Sequence, residues 1–138
     1  MQTEGHSNNI KTKLFEIYDL NVANCSSENT KRLNLEVSKQ LNRKPELVVV
    51  SDHGHGMVNS LSAGLLSFNS LFLALSTQCN AGNKGCNSIN KYKRADYLCI
   101  SSHELNHEIK ENGLSERERL AKLSLLIDCP NITLTCGN

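Results

Sequence analysis

The sequence has no long apolar run and no excess of charge of either sign. No apolar stretch approaches the roughly 20 residues that a membrane-spanning helix needs, and the first 13 residues lack the apolar core of a signal peptide. Fifteen Lys and Arg residues nearly balance fourteen Asp and Glu residues, giving a net charge of +1. The basic residues are scattered rather than gathered into a stripe. We therefore expect a cytoplasmic protein with no membrane or nucleic-acid partner.

The sequence also lacks any Cys-x-x-Cys pair, although it contains six cysteines. Their spacing matches no recognised pattern of zinc ligands. In a reducing compartment such thiols stay free. We therefore predict buried or half-buried free thiols rather than a disulfide framework or a cysteine zinc centre.

Segments typical of strands alternate with segments typical of helices along the chain. Short apolar, β-branched runs predict strands, and apolar residues at helical spacing predict helices. The alternation predicts one α/β domain over residues 1–138, with a mostly parallel sheet and helices on both faces. The predicted strands are residues 13–20, 46–51, 71–76, 97–101 and 131–137. The predicted helices are the segment with Leu33, Val37 and Leu41 on one face, then 59–69, 103–111 and 115–127, the last with a Ser115 and Glu118 capping box.

Irregular polar stretches follow several of the predicted strands. They comprise residues 52–56 (DHGHG), 77–87 (TQCNAGNKGCN), 101–104 (SSHE) and 135–137 (TCG). In a parallel sheet, ligands bind at the carboxyl ends of the strands. The coincidence of these stretches with strand ends predicts a ligand site at that edge of the sheet, although a tight turn with no ligand remains an alternative for DHGHG.

One motif suggests metal chemistry. His103-Glu104-Leu105-Asn106-His107 fits the His-Glu-x-x-His pattern, in which two histidines on one helical face bind zinc and the glutamate activates water. No downstream element signals a third ligand, and Glu108 places a charge directly after the second histidine. Two interpretations therefore remain. The motif could belong to a small zinc hydrolase, or His103, Glu104 and His107 could be surface residues of a helix.

A long central segment closely resembles a family of sugar kinases. The segment FLALSTQCNAGNKGCNSINKYKRADYLCISSHELNHEI, residues 72–109, is similar to PfkB-type carbohydrate kinases of the ribokinase-like superfamily. The nearest branch is that of the heptose-phosphate kinase relatives that are fused to nucleotidyltransferases. VVVSDHGHGMV (48–58) and KLFEIYDLN (13–21) resemble flanking segments of the same family, and TLTCGN (133–138) matches it more weakly.

This resemblance implies an incomplete three-layer, ribokinase-like (Rossmann-like) fold and a kinase that uses ATP and Mg²⁺. It implies a sugar or sugar-phosphate substrate. Glu104 takes the place of the family's metal-organising glutamate, although the asparagine of the family's Asn-x-x-Glu motif is Ser101 here. The implied substrate-binding residues are Asp52, Gly54, Gly56, Asn80, Asn83 and Lys84, and the implied nucleotide-binding residues are Thr135 and Gly137.

The catalytic segment of the family has no counterpart in this sequence. In the family, a Gly-Ala-Gly-Asp segment supplies the aspartate that accepts the proton of the sugar hydroxyl, whereas no Gly-x-Gly-Asp occurs here. The early strands of the substrate lid are also missing, and we expect residues 1–12 to be flexible. We therefore expect a central fragment of a kinase that is nearly inactive alone, or a noncatalytic remnant that binds sugar or nucleotide. Either could need a partner chain that supplies the missing parts.

Overall fold

The structure is a computed structural model that describes residues 27–78 and 87–136. The predicted strand 13–20, the expectation for residues 1–12 and the predicted site residues Asn80, Asn83, Lys84 and Gly137 lie outside the described residues. The helices are α1 (Ser27–Leu41), α2 (Ser60–Asn69), α3 (Ser102–Glu108) and α4 (Glu116–Leu126). The strands are β1 (Val48–Asp52), β2 (Leu73–Thr77), β3 (Tyr97–Ser101) and β4 (Ile132–Thr135). A short 3₁₀ helix, Ile89–Lys91, lies between β2 and β3.

The four strands form a parallel sheet in the order β1-β2-β3-β4. Val50 pairs with Leu75, Leu75 with Leu98, and Leu98 with Ile132, so apolar residues lie in register across the whole sheet. The predicted fold class is confirmed. The protein is α/β, with an all-parallel sheet flanked by helices, and is consistent with an incomplete three-layer Rossmann-like fold.

The hydrophobic core lies on one face of this sheet. Alternate strand residues are buried there and belong to the same cluster as apolar residues of α2, α3 and α4. On the opposite face Val49 is 70% exposed and Ser76 and Thr133 are exposed as well. Among residues 27–78 and 87–136, no element covers Val49, Ser76 or Thr133 on the second face of the sheet. The buried strand residues are Val50, Leu73, Leu75, Leu98 and Ile100.

Most of the predicted elements in the described part form close to their predicted positions. The strand predicted over 97–101 matches β3, and the Ser115 and Glu118 capping box is present at the start of α4. Helix α3 ends at Glu108, earlier than the predicted residue 111, and Gly113 follows with a φ of +83°. No described helix is long and apolar enough to cross a membrane.

The cysteines that the structure describes are free thiols. Cys129 is buried and Cys99 half-buried, as predicted, whereas Cys136 is exposed at the end of β4. Burial raises the pKa of the Cys129 thiol. Its side chain therefore behaves as a small apolar core residue rather than as a reactive thiolate.

Candidate functional site

The loop that follows β1 begins with a buried carboxylate. Asp52 is only 4% exposed. Its Oδ1 accepts a hydrogen bond from the backbone N–H of Gly54 (3.0 Å), and its Oδ2 accepts one from the hydroxyl of Tyr92 (2.9 Å). The Nζ of Lys91 lies 2.5 Å from the same Oδ2. Both carboxylate oxygens are thus engaged by groups of the protein itself, as a buried charge requires.

Lys91 connects this carboxylate to two neighbouring segments. Its Nζ donates to the carbonyl oxygen of Val58 (3.0 Å) and to Oδ1 of Asn87 (2.7 Å). The ammonium also lies 5.7 Å from the centroid of the Tyr92 ring, within the range of a cation–π contact. One lysine therefore joins the end of β1, the start of α2 and the segment before the 3₁₀ helix.

Asn87 and Gln78 complete the link between the ends of β1 and β2. The backbone N–H of Gln78 donates to the carbonyl oxygen of Asp52 (2.8 Å). The side-chain amide of Asn87 donates to the carbonyl oxygens of Asp52 and Gln78, each at 3.2 Å. These bonds provide partners for backbone groups at the carboxyl end of the sheet that the hydrogen bonds between strands do not reach.

The surroundings of Tyr92 keep its hydroxyl protonated. The residue is fully buried, and burial raises its pKa far above the ordinary value. The negative charge of Asp52 and the hydrogen bond to it raise the pKa further. Tyr92 consequently acts as a hydrogen-bond donor to Asp52 and not as a base.

Two glycines shape the loop itself. Gly54 and Gly56 have φ values of 70° and 78°, in the left-handed region that other residues rarely adopt. The glycines of DHGHG are therefore explained by the backbone turn. They also leave the backbone of the loop open to close approach by a ligand.

A cleft of about 280 Å³ opens beside this loop, at the carboxyl end of β1. Its lining combines backbone and polar side chains with little charge, because the Lys91 ammonium is balanced by Asp52. Such a lining is suited to hydroxyl groups, which both donate and accept hydrogen bonds. The lining residues are Gly54, Gly56, Val58, Asn59, Ser60, Asn87 and Lys91.

The start of α2 forms one wall of the cleft. Asn59 is the N-cap of this helix, and its side-chain oxygen accepts a hydrogen bond from the backbone N–H of Ser62 (2.9 Å). Ser60 is exposed in the first turn. The cap fixes the point at which the chain turns from the loop into the helix and so sets the position of this wall.

The imidazole of His53 lies on the exposed side of the same loop. Its Nε2 is 3.1 Å from Oγ of Ser51, and its Nδ1 contacts Oε1 of Gln78. A second hollow of about 200 Å³ is lined by Ser51, Asp52, His53, His55, Met57 and Val58. The two histidines therefore border the surface next to the cleft instead of lining the cleft.

Glu104, predicted to organise a metal, caps a helix in the structure. Ser101 is the N-cap of α3, and Oε2 of Glu104 accepts hydrogen bonds from the backbone N–H (2.9 Å) and the hydroxyl (2.7 Å) of Ser101. This reciprocal arrangement is a capping box. Ser101, which stands where the family has an asparagine, is thus the hydrogen-bond partner of the Glu104 carboxylate.

The two histidines of the zinc motif lie on the short helix α3. His103 is exposed and His107 is half-buried. Across the described part of the chain, no three His, Cys, Asp or Glu side chains come together in a group that could hold a metal ion. Glu108 has a structural role, because its carboxylate accepts hydrogen bonds from the Ser88 hydroxyl and the Ile89 backbone N–H.

The structure brings only some of the predicted site residues together. Gly54 and Gly56 line the cleft, and the Asp52 carboxylate supports them from below through its bond to the Gly54 N–H. Thr135 lies on the edge strand β4, where its hydroxyl donates to the carbonyl oxygen of Ile100 (3.4 Å). Their roles in binding a ligand stay predictions. The cleft is also lined by Asn59, Asn87 and Lys91, which no sequence motif indicated. No local spacing marked Asn87 and Lys91, because residues 87–91 hold a single 3₁₀ turn, Ile89–Lys91, and not an α-helix.

Comparisons with protein-family models, with curated proteins and with solved structures found no match to this chain.

Proposed function

We propose that this chain is the sugar-binding central portion of a carbohydrate kinase of the PfkB type. The observation that carries the proposal is the cleft at the carboxyl end of β1, where the Asp52 to Gly56 loop, Asn87 and the start of α2 meet. Polar groups at this position are what ligand binding in a parallel α/β sheet requires. The sequence resemblance supplies the class of ligand, a sugar or sugar phosphate.

In this proposal the residues of the cleft divide into two roles. Asn59 and Ser60 present polar atoms around the cleft, and they bind and orient the hydroxyl groups of the sugar. Asn87 is only 4% exposed and its side-chain amide is bound to Asp52, Gln78 and Lys91, so it shapes the cleft instead. Asp52 acts below the surface, because its carboxylate is bound by Gly54, Tyr92 and Lys91. It holds the loop in shape instead of touching the sugar.

The parent enzyme would transfer the γ-phosphate of ATP to a sugar hydroxyl with Mg²⁺. The described residues do not fit a magnesium site by themselves, since the Glu104 carboxylate is bound within its capping box and no group of three potential metal ligands is present among them. The sequence also has no Gly-x-Gly-Asp that would supply the base. We therefore assign to this chain the binding and orientation of the sugar, and no transfer step.

A calorimetric titration tests the proposal. Ribose, heptose, their phosphates and MgATP would be titrated into the purified chain and into two variants, Ser60→Phe and Ser60→Ala. The phenylalanine fills the cleft, whereas the alanine leaves it open and serves as the control. We expect a sugar or sugar phosphate to bind the chain, to bind Ser60→Ala about tenfold more weakly because one hydroxyl contact is lost, and not to bind Ser60→Phe, with no phosphorylated product formed from ATP.

Two results would contradict the proposal. Failure of every sugar and sugar phosphate to bind would remove the sugar-binding function. Binding that Ser60→Phe leaves unchanged, in a variant with native circular dichroism, would place the ligand elsewhere on the protein.

A further inference from the structure

The turn between α3 and α4 contains an Asn-Gly pair, Asn112-Gly113. The pair lies after the end of α3 at Glu108 and before Ser115, the N-cap of α4. Both of its residues are exposed, and Gly113 has a φ of +83°. The sequence contains no other asparagine that is followed by glycine. Any reaction that needs this pair is therefore confined to one place on the surface.

An asparagine can react with the backbone of the residue that follows it. Here the Gly113 backbone nitrogen attacks Cγ of Asn112, a bond forms between these two atoms, and the bond from Cγ to Nδ2 breaks. The proton of the Gly113 nitrogen is transferred to the leaving amide nitrogen, which departs as ammonia and leaves a cyclic imide. Water then opens the ring. Attack of water at Cγ gives aspartate, whereas attack at the backbone carbonyl carbon of Asn112 gives isoaspartate.

The local structure leaves both reacting groups accessible. Glycine has no side chain that could block its own backbone nitrogen. A Cβ added to Gly113 would meet no atom within 4 Å, so this part of the turn faces open space. Within residues 27–78 and 87–136, no group forms a hydrogen bond with the Asn112 side chain or with the Gly113 backbone N–H. The first step of the reaction therefore breaks no hydrogen bond of the described fold.

The asparagines that precede serine, another small residue, are held by the fold. In the described part of the chain these are Asn59, Asn69 and Asn87. The Asn59 side chain caps α2, and the Asn69 side chain donates to a backbone carbonyl oxygen (2.8 Å). Asn87 is 4% exposed, and its side chain donates to two backbone carbonyl oxygens. Each of these side chains must first leave its partner, whereas Asn112 has none to leave. We propose that Asn112 is a site of spontaneous deamidation.

This modification changes the charge of the protein. Either product has a carboxylate where Asn112 has a neutral amide, so the formal net charge of the chain falls from +1 to zero. A protein whose net charge is near zero associates and precipitates more readily. An aged chain is therefore less soluble at neutral pH than a newly made one.

Peptide mapping of the purified full chain during incubation at physiological pH and temperature tests this site. We expect the peptide that contains Asn112 to gain about 1 Da in a growing fraction of the protein, with one ammonia released per modified chain. Fragmentation should show both isoaspartate and aspartate, because the ring opens at either carbonyl carbon. The peptides with Asn59, Asn69 and Asn87 should change at least about tenfold more slowly, since these side chains react only after local opening.

Two variants show that the reaction runs through the Asn-Gly pair. Gly113→Ala should slow the modification by about tenfold, because the methyl group hinders the attacking nitrogen and disfavours a φ of +83°. Asn112→Asp supplies the charge of the product from the start. In isoelectric focusing, the modified fraction of the original chain should move to the position of Asn112→Asp.

Incubation of the chain in urea separates the effect of the fold from that of the sequence. Without the fold, the Asn87 side chain loses its burial and its hydrogen bonds, so we expect it to react faster than in the folded chain. Asn112 is already accessible, so its rate should be nearly the same in both states.

Three results would overturn the proposal. If Asn112 stays intact in the folded chain for a period that converts it in urea, the turn protects it. Aspartate without isoaspartate would exclude the cyclic imide. Faster modification of Asn59, Asn69 or Asn87 than of Asn112 in the folded chain would place the reactive site elsewhere.

Discussion

Lys91 lies directly beneath the loop that ends β1, with its Nζ 2.5 Å from Oδ2 of Asp52. The two side chains are only 17% and 4% exposed. The pair joins the 3₁₀ helix before β3 to the end of β1, across the intervening strand β2. The shape of the cleft therefore depends on a buried ion pair that neither segment could hold alone.

The first prediction concerns the removal of one partner from this pair. Lys91→Met leaves the Asp52 carboxylate buried without its cation, and we expect it to lower the free energy of unfolding by about 3 kcal/mol. Asp52→Asn should cost less, because the partly exposed Lys91 can reach water. Urea unfolding at neutral pH measures both changes.

Lys93→Met provides the matched control for that experiment. The Lys93 ammonium donates to the carbonyl oxygen of Asn90 on the exposed surface, so its replacement should change stability by less than about 0.5 kcal/mol. Equal effects of Lys91→Met and Lys93→Met would show that the buried pair does not stabilise the fold.

The second prediction is a dependence of stability on alkaline pH. Tyr92 has a raised pKa in the folded protein, whereas the unfolded chain ionises it near pH 10. Its contribution to stability is therefore complete below about pH 10 and is lost as the pH rises further, at up to about 1.4 kcal/mol per pH unit. Urea unfolding between pH 8 and pH 11 should show this loss in the original chain and a smaller one in Tyr92→Phe.

The same variant has an effect at neutral pH. Tyr92→Phe removes the hydroxyl that donates to the buried Asp52 carboxylate, and we expect a loss of about 2 kcal/mol, as for hydrogen bonds to charged groups. Tyr97→Phe is the control, since the Tyr97 hydroxyl bonds Thr133 on the exposed face of the sheet. Parallel stability curves for the original chain and Tyr92→Phe above pH 10 would contradict the role of Tyr92.

The third prediction tests the capping box of α3. Ser101→Ala and Glu104→Ala should each lower the free energy of unfolding by about 1 kcal/mol, because each removes one half of a reciprocal cap. The double variant should cost less than the sum, since the two residues act on each other. Strictly additive effects in urea unfolding would show that the two side chains act independently.

The fourth prediction concerns zinc. We expect protein purified without chelator to contain far less than one zinc ion per chain, and added zinc to leave the unfolding temperature unchanged. The reason is that the Glu104 carboxylate caps α3 and that the described residues form no group of three metal ligands. Stoichiometric zinc by elemental analysis, lost in His103→Ala and His107→Ala, would restore the hydrolase alternative.

The sequence by itself determined the order of the elements and the class of the fold. Strand β3 and the start of α4 could be predicted because their signals are local, namely an apolar run and a capping box. The turn over residues 52–56 could likewise be predicted, because glycines at a strand end can be recognised in a short segment. Local chemistry is enough for such features. The binding of a ligand by this turn stays a prediction.

Only the tertiary structure decided the roles of the side chains at that loop. The Asp52 carboxylate is buried because Lys91 and Tyr92, which are distant in sequence, pack against it and bind it in the fold. Helix α2 could be located in the sequence, but its orientation depends on Asn34 of α1 and on the segment before β3, which bind its two serines. Burial and orientation are set by contacts between distant segments, and the spacing of residues along one segment does not determine them.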